Sequence, residues 1–322
     1  MTERWDTQTE WEAYQNANNI EIANGDVTLH TVFPEHAYSG GVSNDSIHRI
    51  ANDGGGDWVS TTPTDRVNDV AIDAAGCVHA ATDSGGYLML NPDGSTAPND
   101  GIGGSAWSIA TDDEQNAYVG EGDGDVYKYD INSNQVWSVS PASDRVGAIV
   151  VDQNKNVYFG SDDDQIYKLD SSGNEDWSEF LDGGGISVDV DINGNVYAGT
   201  DNDSIYKYDS TGTELWTQSV SSPPHGISVD PSDSIHFITY SGDVVQKDQN
   251  WNTNWTYSQL PTVGFGLAVD FDGYVYAASR GGEIHKIDPS GGKVWEYTDS
   301  EVFYNMDAAG DSIGAFPEAY GL

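Results

Sequence analysis

Positive charge is scarce in this sequence. Lys and Arg total 12 against 53 Asp and Glu, which gives a formal net charge of -41. Because binding to a phosphate backbone depends on basic contacts, this balance excludes nucleic acid and anionic membrane surfaces as expected partners. The 10 Trp and 18 Tyr distinguish the chain from a disordered acidic tail, which is poor in aromatic residues. We therefore expect a folded core beneath an acidic surface.

Cysteine and long apolar runs are also missing. Cys77 is the only cysteine, so the chain can form no internal disulfide and carries no cysteine-based metal motif. No stretch approaches the roughly 20 apolar residues of a membrane span, so we expect no membrane insertion. Residues 1–11 contain no apolar region of the kind found in signal peptides. We expect the protein to stay in the cytoplasm or to leave the cell by another route, for instance inside a virus particle.

An acidic surface of this density suits a protein that works at very high salt. In 1 M salt the Debye length falls to about 3 Å, so the repulsion between surface carboxylates is screened. The scarcity of Lys and the preference for Asp over Glu fit the same interpretation. In these respects the composition resembles that of proteins from extreme halophiles.

What the chain has in abundance is an internal repeat. The segment from Asp152 to Trp177 returns, with many of the same residues, as Asp191 to Trp216. Each copy begins with a short apolar strand (A) that ends in Asp, and three further short strands (B, C and D) follow, separated by Gly, Asn and Asp turns. The Asp anchors are spaced by 39, 40, 39, 39, 40 and 37 residues, and they are Asp73, Asp112, Asp152, Asp191, Asp230, Asp270 and Asp307. The D strands carry Trp58, Trp137, Trp177, Trp216, Trp255 and Trp295, with Pro98 at the corresponding place in the second repeat.

Four short strands at a period near 40 residues predict the blade of a β-propeller. The first C and D strands, residues 46–50 and 57–60, have no A strand before them. The last A and B strands, residues 303–307 and 312–316, have no C and D strands after them. Joining the two halves removes the exposed edges. The sequence therefore predicts an all-β fold, a seven-bladed β-propeller of four-stranded blades over residues 36–316, closed by a blade shared between N- and C-terminal strands. Residues 317–322 form a C-terminal tail.

The repeat pattern V-Y-x-G, several residues, then I-Y-K-x-D-x-x-G-x-x-x-W, resembles the PQQ-like (quinoprotein-type) propeller repeat. This resemblance covers roughly residues 36–316, and it implies a propeller fold. The family includes quinone-dependent dehydrogenases, outer-membrane assembly scaffolds and surface proteins. Its dehydrogenases share an adjacent-cysteine pair and a calcium-linked acidic base. Because this chain has one cysteine, the pair is absent, and we expect a non-enzymatic protein without an organic cofactor.

Residues 1–35 do not match the repeat. A capping box at Thr9 and Glu12 predicts a short helix over residues 10–17, and residues 20–31 predict a hairpin with a tight turn. Trp5, Trp11 and Tyr14 provide more aromatic surface than a free tail needs, so we expect this segment to dock on another protein subunit. The alternative is a cap on the propeller itself. The stretch from Trp11 to about Leu29 is similar to the openings of structural proteins from haloarchaea and their viruses.

Three residues are candidates for ligand binding in the propeller. Arg66 and Arg145 each stand just before an A strand, and His225 lies at the start of another. Since A strands line the channel of a propeller, all three are expected near its entrance, where an anionic ligand such as a sugar acid is the candidate. The alternative is that the arginines anchor their loops through Asp65 and Asp144.

Acidic turns raise the question of bound cations. The run Asp189-x-Asp191-x-Asn193-Gly194 resembles the start of a calcium loop, but its twelfth position is Thr200 rather than Glu. Bound calcium or sodium ions are therefore one hypothesis, and turn chemistry combined with halophilic acidity is the other. Further acidic groups, including Asp123 and Asp125, are predicted in the hairpins between strands B and C.

Half of the basic residues share one predicted position in strand C, where we expect each to pair with a carboxylate of its own blade such as Asp130, Asp170 or Asp209. These residues are Arg49, Lys128, Lys168, Lys207, Lys247 and Lys286.

Together these observations favour an interaction or structural protein of a halophilic archaeal system. Our leading hypothesis is a virion component, a tail or spike module that binds a host-surface protein or glycan through its loops and other subunits through residues 1–35. One alternative is a scaffold or surface-binding propeller in the cytoplasm or at the surface of the archaeal cell. Another is an enzyme, either a quinone-dependent dehydrogenase or a glycan-active enzyme.

Overall fold

The computed structural model describes residues 20–23, 26–29, 37–41, 45–51, 53–61, 63, 65–73, 75–84, 86–97, 104–270, 272–299 and 303–308. Over these residues the chain forms seven antiparallel sheets and one separate hairpin. The seven innermost strands contact one another in a closed ring, so the sheets are the blades of a seven-bladed β-propeller. The fold predicted from the repeat is confirmed. Among the described residues there is no helix with the length and apolarity of a membrane span.

Each blade runs from an inner A strand to an outer D strand, and the strands are numbered in chain order. The separate hairpin is β1 (Ile20–Ala23) and β2 (Asp26–Leu29). Blade 1 contains β3 (Ala37–Gly41), β4 (Ile47–Ile50) and β5 (Gly56–Ser60), and blade 2 contains β6 (Val67–Ile72), β7 (Val78–Thr82) and β8 (Gly86–Leu90). Blade 3 contains β9 (Ala106–Thr111), β10 (Ala117–Glu121), β11 (Val126–Tyr129) and β12 (Gln135–Val139). Blade 4 contains β13 (Val146–Val151), β14 (Val157–Ser161), β15 (Gln165–Leu169) and β16 (Glu175–Phe180).

The remaining blades follow the same order. Blade 5 contains β17 (Gly185–Val190), β18 (Val196–Thr200), β19 (Ser204–Tyr208) and β20 (Glu214–Ser219). Blade 6 contains β21 (Pro224–Val229), β22 (Ile235–Thr239), β23 (Val244–Lys247) and β24 (Thr253–Tyr257). Blade 7 contains β25 (Gly264–Val269), β26 (Val275–Ser279), β27 (Glu283–Ile287) and β28 (Lys293–Thr298), and β29 (Phe303–Ala308) returns to blade 1.

Blade 1 closes the ring with strands from both ends of the chain, in the order β29-β3-β4-β5. The shared blade is as predicted, but its B strand is β3, not residues 312–316, which lie outside the described residues. One C-terminal strand therefore completes a sheet of three N-terminal strands by pairing with β3. The register also corrects the last Asp anchor. In blade 4 the last residue of strand A, Val151, pairs with Val157, and the anchor Asp152 follows it. In blade 1 the corresponding pair is Ala308 with Ala37. The anchor position therefore falls after Ala308, and Asp307 lies within the strand.

Blade 2 is the irregular member of the ring. It has three strands, and the place of its D strand is taken among the described residues by an isolated bridge between Leu90 and Thr96. Pro98, which occupies the predicted Trp position, lies outside the described residues.

The repeated Asp at the end of strand A holds the A–B turn through several side-chain hydrogen bonds, from three at Asp73 to five at Asp112. In blade 4, the Oδ1 atom of Asp152 accepts from the backbone N–H groups of Asn154 and Asn156, at 2.8 and 2.9 Å. Its Oδ2 atom accepts from Asn156 Nδ2 at 2.8 Å and from the Tyr158 hydroxyl at 3.1 Å. His79 and His236 replace the tyrosine in blades 2 and 6 and contact Asp73 and Asp230 instead. The Asp is therefore a turn anchor that also positions the ring on strand B.

Behind each anchor, side chains of strands B, C and D form a cross-strand row. In blade 5, Tyr197 pairs with Lys207, which pairs with Trp216. The Lys207 amine lies 4.8 Å from the centre of the Tyr197 ring and 4.0 Å from Asp191. We call such sets the aromatic rows, and they are Tyr38–Arg49–Trp58, Tyr118–Lys128–Trp137, Tyr158–Lys168–Trp177, Tyr197–Lys207–Trp216, His236–Gln246–Trp255 and Tyr276–Lys286–Trp295.

The rows correct two details of the predicted basic ring. Gln246, not Lys247, occupies the row in blade 6. The lysine amines lie near the anchor Asp of strand A or near a strand-D Asp, as Lys168 does at 3.2 Å from Asp176. Asp130, Asp170 and Asp209 instead accept hydrogen bonds from their own C–D turns. The basic ring is thus part of the framework of the blades.

Each outer tryptophan joins its blade to the next one. The Trp177 indole N–H donates to the Ser210 carbonyl in the C–D turn of blade 5, at 3.3 Å. Gly212 of that turn has φ 87°, and a β-carbon there would lie 2.9 Å from the indole. Both the positive φ and the close approach therefore require glycine at this position. Across the closure, Trp295 packs on Gly54 in the same way. The hydrophobic clusters likewise lie between neighbouring blades, as where Tyr118 of blade 3 packs with Val146 of blade 4.

The N-terminal hairpin lies at the residues where the sequence pattern predicts one. Strands β1 and β2 pair antiparallel, from Ile20 with Leu29 to Ala23 with Asp26. The predicted helix at 10–17, the docking residues Trp5, Trp11 and Tyr14, and the tail at 317–322 all lie outside the described residues. Their docking role stays a prediction.

Candidate functional site

The inner strands carry seven equivalent β-bulges at the entrance of the channel. In every blade the second residue of strand A is skipped in the pairing with strand B. A bulge turns a side chain away from the regular sheet direction and commonly occurs beside functional sites. The seven bulged residues are Asn68, Trp107, Gly147, Ile186, His225, Phe265 and Tyr304. We call this set the mouth ring. All seven residue types differ, although the strands around them repeat.

On one side of the mouth ring, Trp107 lies between two arginines. The guanidinium carbons of Arg66 and Arg145 are 5.0 and 4.5 Å from the centre of the indole, both within cation–π range. Arg145 also makes a bidentate ion pair with Asp162, with Nε–Oδ2 and Nη2–Oδ1 distances of 2.9 and 3.1 Å. The ion pair and the stacking fix the orientation of the guanidinium group. The structure therefore brings the two predicted arginines together through a tryptophan that the sequence did not single out.

The local aspartates act differently from the predicted loop anchors. Asp65 and Asp144 each accept a hydrogen bond from the backbone N–H of the arginine that follows, at 2.8 Å in both cases. They shape the loop, while the guanidinium group of Arg145 binds Asp162 of the neighbouring hairpin. The charge of Arg145 is thus already balanced, which weakens the argument for an anionic ligand at this position.

His225 lies in a separate aromatic cluster with residues of blades 6 and 7. Its ring centre is 5.4 Å from that of Tyr240 and 4.7 Å from that of Phe265. Burial lowers the pKa of His225 to about 4, so the imidazole is neutral near pH 7. At this pH His225 offers an aromatic surface and hydrogen-bonding nitrogens, but no positive charge. Its predicted role in ligand binding stays a prediction, and it does not depend on attraction of an anion.

Below the mouth ring, the inner strands enclose a cavity of about 170 Å³. Two carboxylates in its wall connect neighbouring blades. Asp69 accepts from the backbone N–H of Ile109 at 2.8 Å, and Asp189 accepts from that of Val229 at 2.7 Å. Each also accepts from the N–H of its own next residue at 2.8 Å. Because inner strands are sheet edges, these bonds satisfy N–H groups that would otherwise face the channel.

Asp189 has an unusual protonation equilibrium. Its removal from bulk water raises its pKa to about 7, although the hydrogen bonds from Val229 and Val190 act in the opposite direction. The nearby charge of Asp191 adds to the increase. Near neutral pH, Asp189 therefore exists in both protonation states, and the strength of this contact between blades 5 and 6 depends on pH.

The proposed calcium loop at Asp189, Asp191 and Asn193 does not converge in this structure. Asp189 binds the backbone of blade 6, whereas Asp191 is the anchor of its own turn. The Asp191 oxygens accept from the N–H groups of Asn193 and Asn195 at 3.0 and 2.8 Å, and from Asn195 Nδ2 at 2.7 Å. Protein donors thus already occupy these carboxylates, and an ion at these residues stays a prediction.

A different acidic group has carboxylates that do converge. Oxygen atoms of Glu121, Asp123 and Asp125 lie within 4.8 Å of one another in the B–C hairpin of blade 3. The hairpin stands beside Trp107, since a β-carbon at Gly122 would lie 3.0 Å from the indole nitrogen. This group adjoins the mouth ring on the same face of the propeller.

Sequence reasoning missed Trp107, Phe265, Tyr240 and Glu121. A signal for the first two was present, because Trp107 and Phe265 stand five residues before the anchors Asp112 and Asp270. Aligning the repeats at that position reveals a column in which every residue differs. Tyr240 follows a B strand without any such pattern.

Comparisons with known proteins agree with the fold. The sequence profile of the family described as outer membrane protein assembly factor BamB matches residues 122–250, which supports the resemblance to the PQQ-like repeat. A chain of the crystal structure of the mitotic checkpoint complex is similar with a TM-score of 0.66 and 14% identity, covering 72% of this chain and 78% of that one. In all, 1621 chains of solved structures are similar, so the fold alone does not discriminate between functions. No curated protein matches the chain.

Proposed function

We propose that this protein is a non-enzymatic interaction propeller of a halophilic archaeal system, and that it is a component of a virus particle such as a tail or spike module. In this proposal the face with the mouth ring binds a host-surface protein or glycan. Residues 1–35 bind other subunits of the particle, through Trp5, Trp11 and Tyr14. The observation that carries the proposal is the mouth ring.

The mouth ring combines a repeated position with seven different side chains. Elsewhere the blades repeat their residues, because the anchors and aromatic rows must satisfy the same hydrogen bonds in each blade. At the mouth ring the backbone geometry repeats but the chemistry does not. Binding surfaces are commonly built in this way, with variable residues on a rigid scaffold. The exposed side chain of Phe180, at 77% exposure, lies on the same face.

Two further observations support the proposal. The charge of -41 favours a setting of high salt, in which carboxylate repulsion is screened. The family matched by residues 122–250 is described as an assembly factor, and an assembly factor acts through protein contacts. The resemblance of the N-terminal sequence to virus structural proteins of haloarchaea favours the virion over a scaffold of the cell.

Fractionation of an infected haloarchaeal culture tests the location. Particles are purified on a density gradient in high salt, and an antibody against this chain is applied to the particle and cell fractions. We expect the chain to sediment with a capsid protein and to be depleted from the fraction of a cytoplasmic marker. Its presence in cells and absence from particles would overturn the virion assignment and favour the cell scaffold.

A binding assay tests the face. Labelled protein is incubated with host cells, and a Trp107→Ala, Phe265→Ala variant is compared with a Val136→Ser, Val294→Ser variant. Val136 and Val294 are 54% and 50% exposed on outer strands, away from the mouth ring. We expect the mouth variant to lose binding at least tenfold and the outer variant to keep it. Equal binding by both variants would reject the mouth ring as the recognition surface. Absorbance of a bound quinone in the purified protein would instead support the dehydrogenase alternative.

A further inference from the structure

Glu121 departs from the repeat at the last residue of strand B. In five other blades this position holds a buried Ser or Thr, and the residues are Thr82, Ser161, Thr200, Thr239 and Ser279. Their hydroxyls bind the adjoining backbone. Thr82 donates to the Gly86 carbonyl at 3.1 Å, and Ser279 accepts from the Gly281 N–H at 3.3 Å. A small hydroxyl therefore serves the hairpin well, and blade 3 places a carboxylate there instead.

The Glu121 side chain is buried without a balancing partner. Only 7% of the residue is exposed, and a β-carbon at Gly104 would collide with its carboxylate. Among the described residues no hydrogen-bond donor or cation contacts the carboxylate oxygens. A buried anion that faces two other anions costs free energy unless a cation compensates it.

The geometry of the three carboxylates suits a hard divalent cation. Their oxygens all lie within 4.8 Å of one another. Calcium binds oxygens at about 2.3–2.6 Å. Two ligand oxygens on opposite sides of one ion are therefore about as far apart as these carboxylate oxygens are. The alternating sequence Glu121-Gly-Asp-Gly-Asp125 is held in a tight hairpin by a 2.9 Å bond from the Glu121 N–H to the Asp125 carbonyl. We propose that Glu121, Asp123 and Asp125 form a calcium site at the B–C hairpin of blade 3.

Acidity alone does not distinguish this hairpin, because the hairpins of blades 4 and 5 are also acidic. In the hairpin of blade 4, however, two carboxylates have close partners, whereas in blade 3 Asp125 accepts one longer bond, from the Tyr127 hydroxyl at 3.3 Å. Asp162 binds Arg145, and Asp163 accepts from the Tyr167 hydroxyl and the Ser143 N–H, at 2.8 Å each. Blade 4 also keeps its hydroxyl at Ser161. The combination of a buried Glu in place of Ser or Thr and two converging aspartates is peculiar to blade 3 among the described hairpins.

The position of Trp107 provides a direct probe. Terbium(III) replaces calcium at oxygen-ligand sites, and its luminescence is sensitised by a nearby indole. The full-length protein is titrated with TbCl₃ in a pH-buffered, chelator-treated solution of constant high KCl, with excitation of tryptophan. We expect saturable emission that CaCl₂ reverses. Glu121→Thr, which restores the residue of the repeat, should lose at least tenfold in affinity, whereas Asp164→Asn in the acidic hairpin of blade 4 should bind as the wild type does.

Thermal unfolding gives a second measurement that separates binding from a structural role. With EDTA present, Glu121→Thr should melt at or above the temperature of the wild type, because the variant removes an uncompensated buried charge. With calcium present the order should reverse, since ligand binding stabilises only the folded wild type. Unchanged terbium affinity in Glu121→Thr, or the same order of melting temperatures in EDTA and in calcium, would overturn the proposal. Stabilisation by magnesium equal to that by calcium would contradict a calcium site.

Discussion

The aromatic rows and the mouth ring are two sets of equivalent positions in one propeller, and they differ in what satisfies their side chains. In an aromatic row the contacts recur from blade to blade, as between Lys207, Asp191 and Tyr197 and in the indole bond to the next blade. In the mouth ring the contacts also join different blades, but they follow no common pattern. Trp107 stacks with two arginines, whereas His225 packs with Tyr240 and Phe265.

This difference separates residues that maintain the ring from residues that are free to specify a partner. A row must make the same bonds in every blade, so its residues can vary little. The bulge supplies the same backbone geometry for any side chain, so mouth residues can change without loss of the fold. We therefore expect substitutions in the rows and anchors to act on the free energy of unfolding, and substitutions at the mouth to act mainly on binding.

The largest expected effect is at a buried anchor. Asp112→Ala removes the acceptor for the Glu114 and Asn116 N–H groups and for the Tyr118 hydroxyl, which lie 2.9 Å from it. Buried donors without an acceptor are costly, and Lys128 also loses its nearest carboxylate. We expect the free energy of unfolding to fall by about 3–5 kcal/mol, measured by denaturant titration at constant salt.

Asp130→Ala is the matched control for the anchor. Asp130 accepts the same kind of bonds, from the N–H groups of Asn132 and Asn134 at 2.9 Å, but in an exposed C–D turn. Water can replace the lost acceptor there, so the loss of stability should be clearly smaller. Equal losses for the two variants would show that the anchor is not distinguished by its burial.

Substitution of two tryptophans, one in an aromatic row and one in the mouth ring, compares the two sets of positions directly. Trp177→Ala removes the bond to the Ser210 carbonyl and the packing on Gly212, and we expect a loss of about 3 kcal/mol. Trp107→Ala removes two cation–π contacts, at about 0.5–1 kcal/mol each, and a total loss of about 1–2 kcal/mol is expected. Denaturant titration gives both values, and cell binding is measured in parallel. If Trp107→Ala were the more destabilising change, the mouth would belong to the framework.

The repeat made the framework predictable from the sequence. Asp anchors near a 40-residue period and a tryptophan in most D strands determine strand order, blade number and closure, because each blade needs the same turns and the same packing. The errors came at the closing blade and in blade 6. The B strand of blade 1 is β3, whose Ala37-Tyr-Ser-Gly40 differs from V-Y-x-G only in its first residue, so a signal for this strand was present. Lys247 lies one position away from its row, which Gln246 fills.

The mouth ring was only partly predictable because its chemistry depends on contacts between blades. Arg66 and Arg145 were singled out by their place before A strands, but their stacking on Trp107 needs three neighbouring blades in position. The low pKa of His225 similarly follows from burial between blades 6 and 7. Residues that are about 40 positions apart in sequence meet here, and no local pattern reports which side chains will touch.

A pH titration tests the contact between blades 5 and 6. The pKa of Asp189 is about 7 in the folded state, above the ordinary value of 3.8. Between these two pH values the folded state holds a proton that the unfolded state has lost. Stability from this group should therefore decrease as pH rises from about 4 through about 7, and then level off. Asp189→Asn should flatten this part of the melting-temperature profile relative to the wild type. Asp69→Asn replaces one of the two acceptor oxygens at the corresponding contact between blades 2 and 3 and is the control for that loss. Parallel profiles for Asp189→Asn and the wild type would contradict the titration of Asp189.

The smallest effect on stability is expected at Phe180, the most exposed of the large apolar side chains described. Phe180→Ser removes a side chain whose residue is 77% exposed, so the free energy of unfolding should change by less than about 0.5 kcal/mol. The backbone carbonyl of Phe180, which accepts from the Tyr208 hydroxyl at 3.2 Å, is kept in the variant. Host-cell binding should nevertheless weaken, because an exposed aromatic ring on the same face as the mouth ring gives a partner apolar area to cover. Val136→Ser, at a residue that is 54% exposed on another outer strand, provides the comparison. If both variants bind as the wild type does, the recognition surface is confined to the mouth ring, whereas weaker binding by Val136→Ser alone would move it away from the face that carries the mouth ring.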